Sequence, residues 1–285
     1  MNLSSLPSLA VVIQIFGIAT RKSLGQHFLL DTSITDEIVT YAGDVSQGSV
    51  IEVGPGPGGL TRSLLKAGAN KLYAIEKDER CLAALAQIKE VAGDKLEIIH
   101  GDALDADVLS MAAPRKIVAN LPYNVGTLML IGWLEMIHAQ GPDAFASMTL
   151  MFQKEVAERI VAEPGSKDFG RLSVLSQWLC ECRYDMELSP QAFSPPPRVS
   201  SAVVTLTPRA KPLVDVGKDT LEMIVGKAFG QRRKMLRVAL KGLSIPPETL
   251  LDAAGIDGTL RAEQLDVVTL CGLAKTYQQL CHPAA

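Results

Sequence analysis

Ser49-Val50-Ile51-Glu52-Val53-Gly54-Pro55-Gly56-Pro57-Gly58-Gly59-Leu60 is the stretch that decides the fold. Its first five residues read as a strand, and the glycine run after them as a tight loop. Leu60 to Ala67 then opens a helix. Strand, glycine loop and helix in that order form the first unit of a parallel sheet with helical crossovers. The glycines allow close backbone approach to a ligand. A loop that seats a pyrophosphate needs N–H donors, and Pro55 and Pro57 remove two of them, so anion cradling is impaired. No Gly-Lys-Ser/Thr follows, which excludes a P-loop.

The same alternation continues downstream. Lys71-Leu72-Tyr73-Ala74-Ile75-Glu76 reads as a second strand, residues 78–92 as a helix, and Leu96 to Asp102 as a third strand segment. Lys116 to Ala119 gives a fourth strand, and Met148–Phe152 and Ser201–Leu206 fit later ones. Strands and helices joined by short connections predict a doubly wound parallel sheet. Upstream, Leu6 to Ala19 reads as an amphipathic or buried helix, and a second helix begins after a cap at Asp31 or Thr32. Residues 209–217 mix Pro, Lys and Gly and read as a linker, with a helical remainder from about Lys218. The expected division is therefore 1–210, with an N-terminal helical extension over 1–30, and a smaller helical domain over 211–285.

Composition bounds the function. Hydrophobic residues make up 47% of the 285, enough for a sizeable core, and charged residues 21%. A net charge of −3 confines any nucleic-acid contact to a local patch. Cys81, Cys180, Cys182, Cys271 and Cys281 show no zinc spacing and read as reduced thiols of a cytosolic protein. The apolar stretch near the N-terminus is too short to span a bilayer and lacks a basic segment before it, so no membrane role is expected.

Ligands of parallel sheets bind at the carboxyl ends of the strands. Four clusters fall there in chain order: the glycine loop with Gly54, Glu76, Asp102, and Asn120-Leu121-Pro122-Tyr123. A carboxylate such as Glu76 can accept both hydroxyls of a ribose, and Asp102 is placed to meet an adenine amino group. In Asn120-Leu121-Pro122-Tyr123 the Asn oxygen and a Leu121 or Pro122 carbonyl can accept both hydrogens of an exocyclic amine, while the Tyr ring stacks on the base. Alone this tetrapeptide could be an ordinary strand exit, and Asp102 a solvated strand-end acid. The ordered set of four points to S-adenosylmethionine rather than to a nicotinamide cofactor.

With these motifs the chain resembles, nearly end to end, the ribosomal RNA adenine N6,N6-dimethyltransferase family of the bacterial KsgA type. The resemblance is carried by residues 22–29, 52–61, 120–127, 153–157, 192–199 (Ala192-Phe193-Ser194-Pro195-Pro196-Pro197-Arg198-Val199) and 229–234 (Phe229-Gly230-Gln231-Arg232-Arg233-Lys234). It implies a Rossmann-like class I methyltransferase domain followed by a smaller α-helical domain. The implied activity is dimethylation of two adjacent adenosines near the 3′ end of small-subunit (16S) rRNA, with S-adenosylmethionine as donor and no metal. The protein is expected to act in small ribosomal subunit biogenesis, in the cytoplasm, as a monomer off the ribosome. By position, His27, Leu29, Gly54, Glu76, Asp102 and Asn120 would border the cofactor. Asn120, Tyr123 and Phe193 would handle the target base, Phe193 as a wall opposite Tyr123. The family often has Asn where His27 stands, so the contact here would come from a ring nitrogen or a backbone group.

Residues 231–241 carry Leu236 and Leu240 at core-facing helical spacing, and Arg233, Arg237 and Lys241 on another stripe. An arbitrary run of this kind is usually a solvated helix face. The resemblance favours phosphate contact by Arg232, Arg233, Lys234, Arg237 and Lys241. Two other functions share parts of this pattern: a large-subunit (23S) rRNA adenine methylase conferring antibiotic resistance, and a ribosome-assembly factor with secondary catalysis.

Overall fold

The computed structural model describes residues 2–18 and 27–281, so residues 22–26 of the first matching segment lie outside the described residues. Among the described residues nine strands form: β1 (Phe28–Leu29), β2 (Ser49–Val53), β3 (Leu72–Glu76), β4 (Leu96–His100), β5 (Arg115–Asn120), β6 (Ser147–Gln153), β7 (Cys180–Leu188), β8 (Phe193–Ser194) and β9 (Ser201–Pro208). Seven make one sheet in the order β4-β3-β2-β5-β6-β9-β7, and β1 pairs with β8 in a two-stranded ribbon. β2 pairs in parallel with β3 and β5, β3 with β4, and β5 with β6, whereas β9 runs antiparallel to β6. Strand order reverses beside β2, between β3 and β5. That switch places the carboxyl ends of β2, β3, β4 and β5 around one crevice.

The helices are α1 (Leu9–Ile15), α2 (Thr32–Tyr41), α3 (Gly59–Lys66), α4 (Glu79–Ala92), α5 (Gly126–Gln140), α6 (Lys154–Val161), α7 (Arg171–Leu179), α8 (Lys218–Gly230), α9 (Leu236–Ala239), α10 (Pro247–Ala254) and α11 (Val267–Cys281). Caps fix two of the entries to the crevice. Asp31 accepts from the Ser33 N–H at the start of α2, and Asp78 from the Arg80 N–H at the start of α4. Leu60, Leu64 and Leu65 of α3 and Leu85 and Ile88 of α4 pack with Val50, Leu72 and Leu96 of the sheet in one buried cluster. Fully burying a side chain of this size contributes about 1.5–3 kcal/mol, so this layer holds the strand ends in register.

The chain groups into two compact units. One comprises Met1–Ala157 and Arg183–Thr207, the other Glu158–Cys182 and Pro208–Ala285. The second unit thus includes residues 158–182, which the sequence reading leaves with the larger domain. The reason is packing: α7 lies against α8 and α11. The Trp178 indole N–H donates to the Val214 carbonyl at 2.8 Å within this unit.

Residues 231–241 depart from the helix the sequence suggests. Gln231–Lys234 form a turn, Met235 is extended (φ −63°, ψ 152°), and only Leu236–Ala239 are helical. The Leu236 N–H bonds the Leu260 carbonyl at 2.8 Å and the Arg237 N–H bonds Gly258 at 3.1 Å, so an incoming loop takes the donors a continuous helix would use.

Candidate active site

The crevice is lined by His27, Leu29, Gly54, Glu76, Asp102, Asn120 and Tyr123, together with Phe28, Glu52, Lys77 and Leu121. Seven of the eight cofactor and base residues expected from sequence therefore meet in one place. Phe193 is the exception. It is 3% exposed and sits in the buried cluster with Leu29, Leu60, Leu188 and Val203. It pairs with Leu29 across β1 and β8 and is not among the residues that line the crevice, although Leu29 beside it is.

The glycine loop spends its donors on the protein. Gly56, at φ +56°, donates its N–H to Glu76 Oε2 at 2.8 Å. A Cβ on Gly56 would lie 2.9 Å from Phe28 Cε1, so the ring of Phe28 closes the loop from outside. At Gly54, φ +67°, a Cβ would meet nothing within 4 Å. Gly56 thus makes room for Phe28, and the open space at Gly54 leaves its backbone accessible to a ligand. Glu76 also accepts the Asp78 N–H on Oε1 at 2.7 Å. Burial pushes its carboxyl above the usual carboxylate range, partly offset by these backbone bonds.

Asp102 accepts from Lys77 Nζ at 2.7 Å on Oδ2 and from the Leu104 N–H at 3.0 Å on Oδ1. The Lys77 hydrogen bond chiefly holds its carboxyl below the ordinary value. It is ionised at neutral pH, with lone pairs left for a ligand amine.

Asn120 ends β5, where its Nδ2 donates to the His27 carbonyl at 3.1 Å. That bond orients the amide and leaves Oδ1 as an acceptor. The Pro122 carbonyl is occupied, accepting from the Val125 N–H at 3.1 Å and the Gly126 N–H at 2.9 Å as α5 begins. The second acceptor beside Asn120 is therefore Leu121 O. Tyr123 is half-buried. Its hydroxyl bonds Ser201 Oγ at 2.5 Å, and its ring lies 5.5 Å from that of His27 at 29°. Burial raises its phenol above the usual value. The His27 ring is in turn anchored by Nδ1, 2.8 Å from the Pro195 carbonyl.

Sequence reading passed over Glu52, Lys77 and Phe28. For Glu52 a signal existed: an acid inside an otherwise apolar central strand must serve a partner.

In the second unit the basic residues separate. One Arg232 nitrogen, Nη2, donates to the carbonyls of Ser166, Lys167 and Phe169, the last at 2.9 Å. It therefore ties down the 166–169 loop with one nitrogen, a structural role the sequence reading does not include, while the residue stays exposed. Arg233 and Lys234 are exposed and border a shallow pocket with Met235, Thr259, Arg261 and Gln264. Arg237 and Lys241 are exposed as well but lie outside that pocket.

A parallel sheet with its crevice at the strand-order switch, acids at the ends of β3 and after β4, and an Asn-Leu-Pro-Tyr exit from β5 define a class I methyltransferase. The profile of the ribosomal RNA adenine dimethylase family matches residues 17–279. A ribosomal RNA small subunit methyltransferase A of Rhodospirillum rubrum is 53% identical, covering 95% of this chain and 92% of its own. A dimethyladenosine transferase from Plasmodium falciparum has the same fold, with TM-score 0.77, 24% identity and coverage of 89% and 98%. The 23S rRNA methyltransferase ErmE is also similar, with TM-score 0.67, 26% identity and coverage of 88% and 100%. The chain belongs to the ribosomal RNA adenine dimethylase family. It is an S-adenosylmethionine-dependent methyltransferase.

Proposed function

We propose that the protein dimethylates N6 of two adjacent adenosines near the 3′ end of small-subunit rRNA. The observation that carries this reading is the pair of acceptors at the end of β5, Asn120 Oδ1 and Leu121 O, beside the Tyr123 ring. The small-subunit relatives share about twice the identity that ErmE does, which favours the small-subunit substrate over the large.

S-adenosylmethionine supplies an electrophilic methyl group. Glu76 holds the ribose hydroxyls and Asp102 the adenine amine of that donor, while His27, Leu29 and Gly54 close the remaining sides. The N6 lone pair of the target adenine is delocalised into its ring. Two hydrogen bonds accepted by Asn120 Oδ1 and Leu121 O strengthen as positive charge develops on N6, so they stabilise the transition state more than the ground state. Tyr123 holds the plane of the base, which must leave its stack to enter. Phe193, packed under Leu29, acts as a positioning residue for β1 and His27 and touches neither reactant.

On the second unit, Arg233 and Lys234 contact rRNA phosphates, with Arg237 and Lys241 as outlying charges. The protein works in the cytoplasm as a monomer, without a metal and away from membranes. Among the described residues no helix is long and apolar enough to cross one.

The test is to incubate the protein with labelled S-adenosylmethionine and under-methylated small subunits and to map the product. The expected result is N6,N6-dimethyladenosine at two neighbouring positions, and label on any other atom refutes the assignment. Phe193→Ala should lower thermal stability and donor affinity together. Lost methylation with both unchanged would return Phe193 to the base.

A further inference from the structure

Three parts of the crevice converge on His27, just before β1. Its backbone carbonyl accepts from Asn120 Nδ2 at 3.1 Å. Its ring lies 5.5 Å from the Tyr123 ring at 29°, a stacked arrangement. Its Nδ1 lies 2.8 Å from the Pro195 carbonyl. A carbonyl oxygen only accepts, so Nδ1 carries the hydrogen and donates it. Asn120 and Tyr123 are the side chains assigned to the target base, and His27 touches both.

These contacts decide how firmly the Tyr123 ring is held. Its hydroxyl bonds Ser201 Oγ at the far end of the ring. A tyrosine ring fixed at Cβ and at its hydroxyl can still turn about the line joining them, which is the χ2 axis, and χ2 of such a ring has a broad, soft preference. The Ser201 bond therefore sets the axis of the ring but not its plane. A second ring packed on its face stops the rotation, and the His27 ring is so placed. His27 is itself tied down, by Nδ1 to Pro195 and by its carbonyl to Asn120. The plane offered to the base thus depends on His27.

Resting on the reading that this site dimethylates adenine N6, we propose that the His27 ring is a positioning residue for the target base, acting through Tyr123, and that the second methyl transfer depends on it more than the first. In each transfer the S–CH3 bond of the donor breaks with its electron pair left on sulfur. The N6 lone pair forms the new N–C bond, and one N6 proton leaves to solvent. In the first transfer N6 brings two hydrogens, one for Asn120 Oδ1 and one for Leu121 O, and these two bonds already orient the amine. N6-methyladenine brings one. An acceptor then goes without its donor, and the plane of the base rests on the stack against Tyr123.

The ratio of the second transfer rate to the first tests this. Both transfers draw on the same donor, so weaker donor binding slows both and leaves the ratio alone. The full-length protein is given S-adenosylmethionine and under-methylated small subunits, and N6-methyladenosine and N6,N6-dimethyladenosine are counted over time after nuclease digestion. His27→Asn still carries an N–H for Pro195 but has no ring for Tyr123. His27→Phe keeps a ring and loses that donor. In His27→Asn the ratio should fall about two- to tenfold, the worth of one aromatic pair, and monomethylated product should accumulate. His27→Gln, a second variant without a ring, should do the same. His27→Phe, whatever its overall rate, should keep the ratio of the unmodified protein. An unchanged ratio in the two variants without a ring would overturn the proposal. So would an equal fall in His27→Phe, which would give the role to the Pro195 tie. An unmodified protein that leaves no methyl group on N6 would overturn the reading of the site first.

Discussion

Glu52, whose carboxyl burial pushes up to about 8 and whose Oε2 accepts from the Thr61 hydroxyl at 2.7 Å, predicts how stability depends on pH in the absence of any ligand. Below pH 4.5 its carboxyl is protonated in folded and unfolded chains alike and costs nothing. Between 4.5 and about 8 the unfolded chain ionises first, so stability falls as pH rises. Above about 8 the folded protein ionises too and the loss is complete. At about 1.4 kcal/mol per pH unit, the full interval corresponds to a loss on the order of 5 kcal/mol. Glu52→Gln removes that loss, because a neutral amide is indifferent to pH and can still accept from Thr61. The variant should match the unmodified protein near pH 4.5, gain on it steadily, and hold a constant lead above pH 8. Titrations remote from Glu52 are common to both proteins and cancel in the difference, whereas Glu76, which interacts with it, adds to the pH-dependent gap. The assay is urea unfolding read by Trp133, which lies in the first unit, in a Trp178→Phe background that silences the second. A stability difference that stays constant from pH 5 to pH 9 would refute the reasoning.

Asn120→Ala should cut methyl transfer by about two to three orders of magnitude while calorimetric donor affinity changes only a few-fold; an equal loss in both would remove its transition-state role. Gly56→Ala sets a Cβ 2.9 Å from Phe28 at φ +56°, so donor affinity and unfolding midpoint should fall together, by about 1–3 kcal/mol in stability. Unchanged stability would show that the loop relaxes freely. Arg232→Lys should destabilise the second unit by about 1–3 kcal/mol and leave the salt dependence of rRNA binding alone. Arg233→Glu and Lys234→Glu should spare stability and each lower the salt slope by about one; the opposite pattern would exchange the structural and RNA-contacting roles.

How much of this was legible in the sequence depended on where the physical signal is local. Strands β2 to β6 are apolar runs, and their ends are marked by Gly54, Glu76 and Asn120. Covered on both faces, such strands need no alternation to be found. β7 was missed because Cys180-Glu181-Cys182-Arg183-Tyr184-Asp185-Met186-Glu187-Leu188 is polar at the sheet edge, with few apolar positions to reveal it. β1 and β8 are two residues each, too short to show any period, and exist only because the two segments meet across the chain. That long-range pairing is also what buries Phe193. In the basic run, Leu236 and Leu240 are indeed buried. The spacing between them says nothing about residues 231–235, where loop contacts replace helical hydrogen bonds. The three carbonyls that bind Arg232 lie more than sixty residues away, beyond the reach of any local pattern.

The polar chemistry of the crevice leans one way: several of its donors are spent internally, and its acids and amide oxygens keep lone pairs for a ligand. Pro55 and Pro57 carry no N–H, the Gly56 N–H goes to Glu76, the Leu104 N–H to Asp102, and the Asn120 amide to the His27 carbonyl. What faces a ligand is Glu52, Glu76, Asp102, Asn120 Oδ1 and Leu121 O. A pyrophosphate, all acceptors and negative charge, meets a loop that lacks two donors at Pro55 and Pro57 and has given the Gly56 N–H to Glu76, although the strand, glycine loop and helix match a dinucleotide site in outline. A ligand that brings hydroxyls, an aromatic amine and net positive charge meets an acceptor for each. The target adenine, offering a second amine at the end of β5, is read by the same rule. The prolines of the glycine loop therefore exclude one ligand class by removing donors, while the acids and the Asn120 exit admit another by supplying acceptors.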